Sequence, residues 1–498
     1  MSKQTLWQSY IAGITDRATG ERYITILSFF LPELITAFLS WSILNCIDAY
    51  FIGHLASTSA YATHGVSLKV VHMLMKIAEA LSIGTLVLAG NYNGLHQPEK
   101  VGRAAVTALW VAIFVGASLA SMLYFGSYFI MHHFLQVPEK IALLGTPFLR
   151  LRAIGIFLMF VYFAFIGFLR GIKKPGLFMK FFMLGGVVFV FFDYALVFGK
   201  FGLPELQLQG SAVASIIQYA TMLCAAIAYV IFDTNNKQYC LHAFKSFDRR
   251  MLPDIWRLSW PVVIDKTVLT VAKLWLVRLI APMGKMAIAG FNVICDMEQL
   301  AFVPALALAQ VITFLVSNDY GIRNWMAIKN NTKKVMFLSS VMVLSILLFF
   351  SLFPRTIIRL FDRSGVFTHF AALAFPALST LVIFDVQQII LAGALRGASN
   401  VKTVMLTRAL VTLFVFVPLS YFFAHAPIAN SVIKFILVFG SYYLSNGVMS
   451  IIFVYRFRRD AWKHQLADKQ TKEVEVHDQT NIPRSELPGK NVPHHDQP

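Results

Sequence analysis

Asp48, Asp193 and Asp385 each stand inside a long apolar run of this chain. A carboxylate in hydrocarbon is costly unless it pairs, takes up a proton or binds a cation. If its two charge states favour different conformations, binding a proton or Na⁺ shifts the population between them. That is the chemistry of ion coupling. Glu33, Asp265, Asp296 and Glu298 are further acids in or near such runs, with Lys69, Lys76, Lys266 and Lys273 as bases. Lys69 and Lys76 are seven residues apart, as are Lys266 and Lys273, so each pair lies on one helix face. Glu79, three residues after Lys76, is placed to neutralise it. Two readings follow: salt bridges that lock helices together, or a cavity for an anionic group.

These residues need apolar helices to hold them, and the composition supplies such helices. Of 498 residues, 57% are hydrophobic and 14% charged, with a mean hydropathy of +0.65. A soluble chain carries about 25% charged residues. Apolar runs of about 20 residues, enough to cross a bilayer as a helix, recur almost end to end. The fold class is therefore all-α, polytopic and membrane-embedded, with about twelve spans. The net charge of +18 does not point to nucleic acid, because Lys and Arg gather in alternate connections. That pattern places both termini in the cytoplasm; the lipid bilayer is the expected partner, and the expected location is the inner (plasma) membrane. Cys46, Cys224, Cys240 and Cys295 show no metal or disulfide spacing, no metal site is expected, and no cleavable signal is seen.

A repeat organises the spans. Gly393-Ala-Leu-Arg-Gly397 is written once upstream as Gly167-Phe-Leu-Arg-Gly171, so Arg170 and Gly171 match Arg396 and Gly397. Pro32 pairs with Pro261, and Asn91-Tyr-Asn-Gly94 with Asn318-Asp-Tyr-Gly321, at nearly the same separation. The expected organisation is an N-terminal segment (1–22), a six-helix bundle (23–232), a basic linker (233–255), a second six-helix bundle (256–457) and a disordered cytoplasmic tail (458–498). The first span is read as Tyr23–Ile52 and the seventh as Pro261–Ile280. Six spans per half give both copies one orientation, related by an axis along the membrane normal.

In order and spacing these features resemble the multidrug and toxic compound extrusion (MATE) transporters. Asn45-Cys-Ile-Asp48 resembles the end of that family's first helix, and Phe192-Asp193 with Gly210-Ser-Ala-Val-Ala-Ser215 its passage from helix five to six. Asp385-Val-Gln387 with Gly393–Gly397 resembles its helix ten. The resemblance implies two bundles in a V around a central cavity and an alternating-access antiporter. It would export small organic compounds (drugs, other xenobiotics or metabolites) in exchange for H⁺ or Na⁺, and it would not be an enzyme. By position, Asp48 and Asp193 would be the cation-binding carboxylates of the N-terminal lobe. Ser215 would stand where a hydroxyl is common, and Asp385 would be the carboxylate of the C-terminal lobe. Lys69, Lys76, Glu79, Lys273 and Gln387 are read as lining the substrate cavity. No cofactor beyond the coupling ion is expected, and the chain is read as a monomer. Two departures stand out: Phe189 replaces an asparagine common four residues before Asp193, and span seven lacks the family's glutamate.

A second reading is a lipid-linked precursor flippase of the same superfamily, its lysines receiving a pyrophosphate head. Lysines facing the cavity would favour it; lysines paired with Glu79 and Asp265 would not. ATP-driven transport is disfavoured by the lack of a P-loop. A membrane transferase is disfavoured by short external loops without paired carboxylates.

Overall fold

The computed structural model describes residues 6–16, 18–55, 57–239, 247–361, 365 and 367–463. Residues 464–498, most of the tail expected to be disordered, lie outside the described residues. The N-terminal half runs α1 (Leu6–Thr15), α2 (Tyr23–Phe38), α3 (Leu44–Gly53), α4 (Thr58–Gly94), α5 (Pro98–Phe129), α6 (Glu139–Gly171), α7 (Pro175–Phe198) and α8 (Leu208–Phe232). The C-terminal half runs α9 (Leu252–Ile280), α10 (Lys285–Gly321), α11 (Trp325–Leu352), α12 (Pro354–Phe361), α13 (Thr368–Gly397), α14 (Val401–Val411), α15 (Val417–His425) and α16 (Ser431–Arg458). Single π turns join α2 to α3 and α14 to α15. No strand occurs among the described residues.

Local chemistry sets the helix ends. Pro98 and Pro175 open α5 and α7, where a missing N–H costs nothing. Ser57 and Asn430 cap α4 and α16 by accepting from free backbone N–H groups. Ten of the described helices, with α14 and α15 counted as one continuous rod, are long and apolar enough to cross a membrane. The continuous α2–α3 rod and the charged α9 complete twelve. The first span, read as Tyr23–Ile52, runs to Gly53, while the seventh begins nine residues before the start its apolar run suggested. Asp254 and Arg257 interrupt the apolar pattern of α9 but not its helix, so Pro261 lies inside it rather than at its start. Pro32 and Pro261 each fall nine residues after the first residue of their helix.

The repeat is visible in the packing. Helix α4 lies on α6 as α10 lies on α13, α6 on α8 as α13 on α16, and α2 on α7 as α9 on α14. Between halves, α2 meets α10, α9 meets α4, and α4 meets α10 across the pseudo-axis. One apolar core joins both halves, bringing Ile26, Phe30 and Leu86 together with Leu258, Phe314 and Val316. Other cores belong to single halves, among them one built on Val71 and Phe148 and one on Leu276 and Phe375. The bundles are thus sealed at one end and separate at the other, which leaves a V-shaped central cleft.

Helices α4 and α10 have 37 residues each, about 55 Å at 1.5 Å per residue. That exceeds a hydrocarbon core of about 30 Å, and the surplus forms the seal. There the repeated motifs touch each other. Asn93 Nδ2 donates to Asn318 Oδ1 at 2.6 Å, and Asn318 Nδ2 to Gly171 O at 2.9 Å. A Cβ on Gly94 would overlap the backbone of Asn318, and one on Gly321 the backbone of Asn91. The segment after α1 also bridges the halves. Glu21 pairs with Lys173 at 3.0 Å, while Lys334 Nζ donates to Glu21 O at 3.0 Å.

Candidate ion-coupling and substrate site

In the N-terminal half the site is built around Asp48 on α3, which is 2% exposed. Its Oδ1 accepts from Ser211 Oγ of α8 at 2.7 Å. Its Oδ2 lies 3.0 Å from His64 Nε2 of α4 and accepts from Arg152 Nη2 of α6 at 3.2 Å. Arg152 also reaches Ser211 Oγ at 3.3 Å and lies over the Phe148 ring. Four helices therefore meet at one carboxylate. Breaking a buried pair of this kind by removing one partner typically costs about 3–5 kcal/mol, because the other charge is left stranded.

Asp193 on α7 is fully buried, and neither of its carboxylate oxygens has a hydrogen-bond partner among the described residues. Ser215 donates to Ala212 O of its own helix at 2.7 Å, so the hydroxyl that reaches Asp48 is Ser211, one turn earlier. A cavity of about 80 Å³ opens beside Asp48, lined by Asn45, His72, Arg152, Ser215 and Gln218, with Phe189 contributing its ring. It has room for a few water molecules.

The C-terminal half places Asp385 of α13 against Asn446 of α16, which donates from Nδ2 at 3.0 Å. Nearby, Glu298 of α10 accepts from the Tyr443 hydroxyl of α16. Asp265, one of two acids weighed as partners for the lysines, is held instead by Arg396 Nη2 at 2.5 Å and by Arg408. The matching pair in the N-terminal half is Glu33, gripped by Arg170 through Nε at 2.7 Å and Nη2 at 2.6 Å. Each arginine of the Leu-Arg-Gly ends thus anchors to a carboxylate on the first spanning helix of its own half. Gly171 and Gly397, which follow them, let α6 and α13 pass against α4 and α10, where a Cβ would overlap.

The floor of the cleft carries the central charges. Glu79 accepts from Lys76 at 3.3 Å and from Lys266 of the other half at 2.5 Å. Lys69 and Lys273, two turns further along the same helix faces, are exposed, and Gln387 is half-buried. Among the described residues no group of His, Cys, Asp and Glu has the arrangement of a metal centre.

The repeat, the V and the paired helix-end arginines belong to one lineage. The MatE family model matches residues 33–195 and 261–422, one match in each half. The chain belongs to the MatE family. Over 360 residues it is 26% identical to a probable multidrug resistance protein NorM of Thermotoga maritima, covering 71% of this chain and 75% of that one. It is 20% identical to a probable multidrug resistance protein YoeA of Bacillus subtilis, over 90% of this chain and 96% of that one. A crystal structure of MATE in the bent conformation superposes with a TM-score of 0.79 at 19% identity, over 88% of this chain and 96% of that one. An outward-facing MATE family multidrug resistance transporter gives 0.77 at 20%, over 89% and 96%. These structural likenesses establish the fold of this MatE chain.

Several site residues of this MatE protein were not singled out from its sequence. Arg152 and Arg408 stand well inside apolar runs and meet the same criterion as Asp48, so the signal was present. His64 and Ser211 carry no such signal. His64 sits before the apolar run of α4, and a serine in a membrane helix is unremarked until its partner is known.

Proposed function

We propose that this MatE protein is a secondary antiporter that exports small organic compounds in exchange for H⁺ or Na⁺ by alternating access. The observation that carries the proposal is the cleft sealed at one end by α2, α4, α9 and α10, with buried carboxylates in both halves beside it. Rocking of the two halves against each other can break this seal and close the cleft at its other end, and differential ion affinity can drive the exchange. Lys100, Arg103, Lys174, Arg323 and Lys402 follow or precede helix ends on the sealed side, which supports a cytoplasmic location for that end and an outward-facing state. The multi-pass chain would then sit in the plasma membrane with both termini inside.

The pairing of Lys76 and Lys266 with Glu79 weighs against the flippase reading, because a phosphate head would compete with that carboxylate for its two cations. The test is transport in proteoliposomes under an imposed pH or Na⁺ gradient, with a cationic and an anionic dye side by side. Dye movement that collapses with the gradient supports antiport. No movement of either dye under either gradient would sink it and favour the flippase.

A further inference from the structure

We propose that Arg152 is a tethered cation that takes the place of Na⁺ beside Asp48, so that the N-terminal lobe of this antiporter holds no Na⁺. Hard cations are held by clusters of oxygens, as Ca²⁺ and Mg²⁺ are. Asp48 has little to spare, since three polar neighbours already face its roughly four acceptor positions. Its Oδ1 is taken by Ser211 at 2.7 Å, and its Oδ2 faces both His64 at 3.0 Å and the Arg152 guanidinium at 3.2 Å. A Na⁺ ion ligated by Oδ2 would stand against a positive charge at a buried position, where like charges are poorly screened. The cavity wall one turn before Asp193 is the Phe189 ring, which brings no oxygen.

The guanidinium is itself committed. Arg152 is 8% exposed, is bonded to Asp48 and Ser211, and lies over the Phe148 ring, so its charge is held beside Asp48. The charged and titratable groups around Asp48 are Arg152 of α6, His64 of α4, Asp193 of α7 and, across the cavity, His72 of α4 and Tyr219 of α8. One fixed cation thus serves Asp48, and Asp193 remains as the carboxylate of this lobe without a hydrogen-bond partner among the described residues. A proton satisfies such a group without an oxygen cage.

The inference refines the antiport reading, and its test does not depend on transport. Binding of ²²Na⁺ is measured on the purified full chain in detergent. The wild type is expected to show no saturable binding that depends on Asp48 or Asp193. Arg152→Gln should gain a saturable site, lost again in Arg152→Gln/Asp48→Asn, while Arg152→Lys stays silent. Wild-type binding abolished by Asp48→Asn or Asp193→Asn overturns the proposal, as does a folded Arg152→Gln that binds no Na⁺. Wild-type binding removed by Asp385→Asn alone supports it, since the ion then sits in the other lobe. If Arg152→Gln does not fold, the wild type compared with Asp48→Asn and Asp193→Asn decides the matter. Failure of dye exchange in proteoliposomes would remove the antiport reading and leave this result standing.

Discussion

Lys266 Nζ lies 2.5 Å from Glu79 Oε2, and that bond crosses from one half of the molecule to the other. With Lys76 on the same carboxylate, the floor of the cleft is a triad of two cations sharing one anion. Removing the anion leaves two ammonium groups facing each other across the seal. Glu79→Gln is expected to destabilise the sealed state by about 1.5–3 kcal/mol, the range for hydrogen bonds to charged groups. The checks are a lower melting temperature and greater cysteine accessibility along α4. A variant that melts and labels like the wild type would show the triad to be idle.

The helix-end arginines lead to a second prediction. Arg170 and Glu33 form a two-pronged, nearly buried pair. Arg170→Met should cost about 3–5 kcal/mol, because Glu33 is left unpaired. The double variant Arg170→Met/Glu33→Leu should recover most of that loss, since two apolar side chains can replace a buried pair at little cost. Thermal unfolding of the purified variants reads both effects. Equal loss in the single and double variants would mean that Arg170 acts through packing alone.

Asp385→Asn tests the C-terminal carboxylate. An asparagine keeps an oxygen to accept from Asn446 Nδ2, so the bond at 3.0 Å can persist while the ionisable group is lost. The expected outcome is an inserted, normally melting protein whose dye exchange no longer responds to an imposed gradient. Full gradient-driven exchange in this variant would remove Asp385 from the mechanism.

A pH dependence follows for the segment after α1. The Thr19 hydroxyl, joined by the Ala18 N–H, holds the Asp16 carboxyl below the usual carboxylate range. Asn330 of α11 donates to the same carboxylate at 2.9 Å and so ties α1 to the second half. A depressed pKa in the folded protein gives stabilisation that is present above the unfolded value, about 3.9, and lost as pH falls through the folded one. The hydrogen-exchange protection of residues 6–16, taken relative to the intrinsic rate at each pH, should therefore stay constant from about pH 7 to 5 and fall only below about pH 4. Asp16→Asn should flatten that profile. Loss of protection already near neutral pH would show that Asp16 is not the anchor.

Much of this was legible in the chain itself, for physical reasons. Bilayer thickness makes each apolar run a helix, so the twelve spans and their repeat could be read from hydropathy and from Gly167–Gly171 against Gly393–Gly397. The cost of burying charge made Asp48, Asp193 and Asp385 stand out before any neighbour was known. Partners are another matter, because they are set by which helix faces meet. Asp265 sits next to Lys266 in sequence, yet successive residues on a helix point apart. The one binds Arg396 and Arg408 within its own half, and the other crosses to Glu79. The Ser211 hydroxyl rather than that of Ser215 reaches Asp48, a difference of one turn that only the angle between α3 and α8 decides. Arg152, in a run between two loops, became the counter-ion of a carboxylate over a hundred residues away only when α6 packed beside α3 and α4.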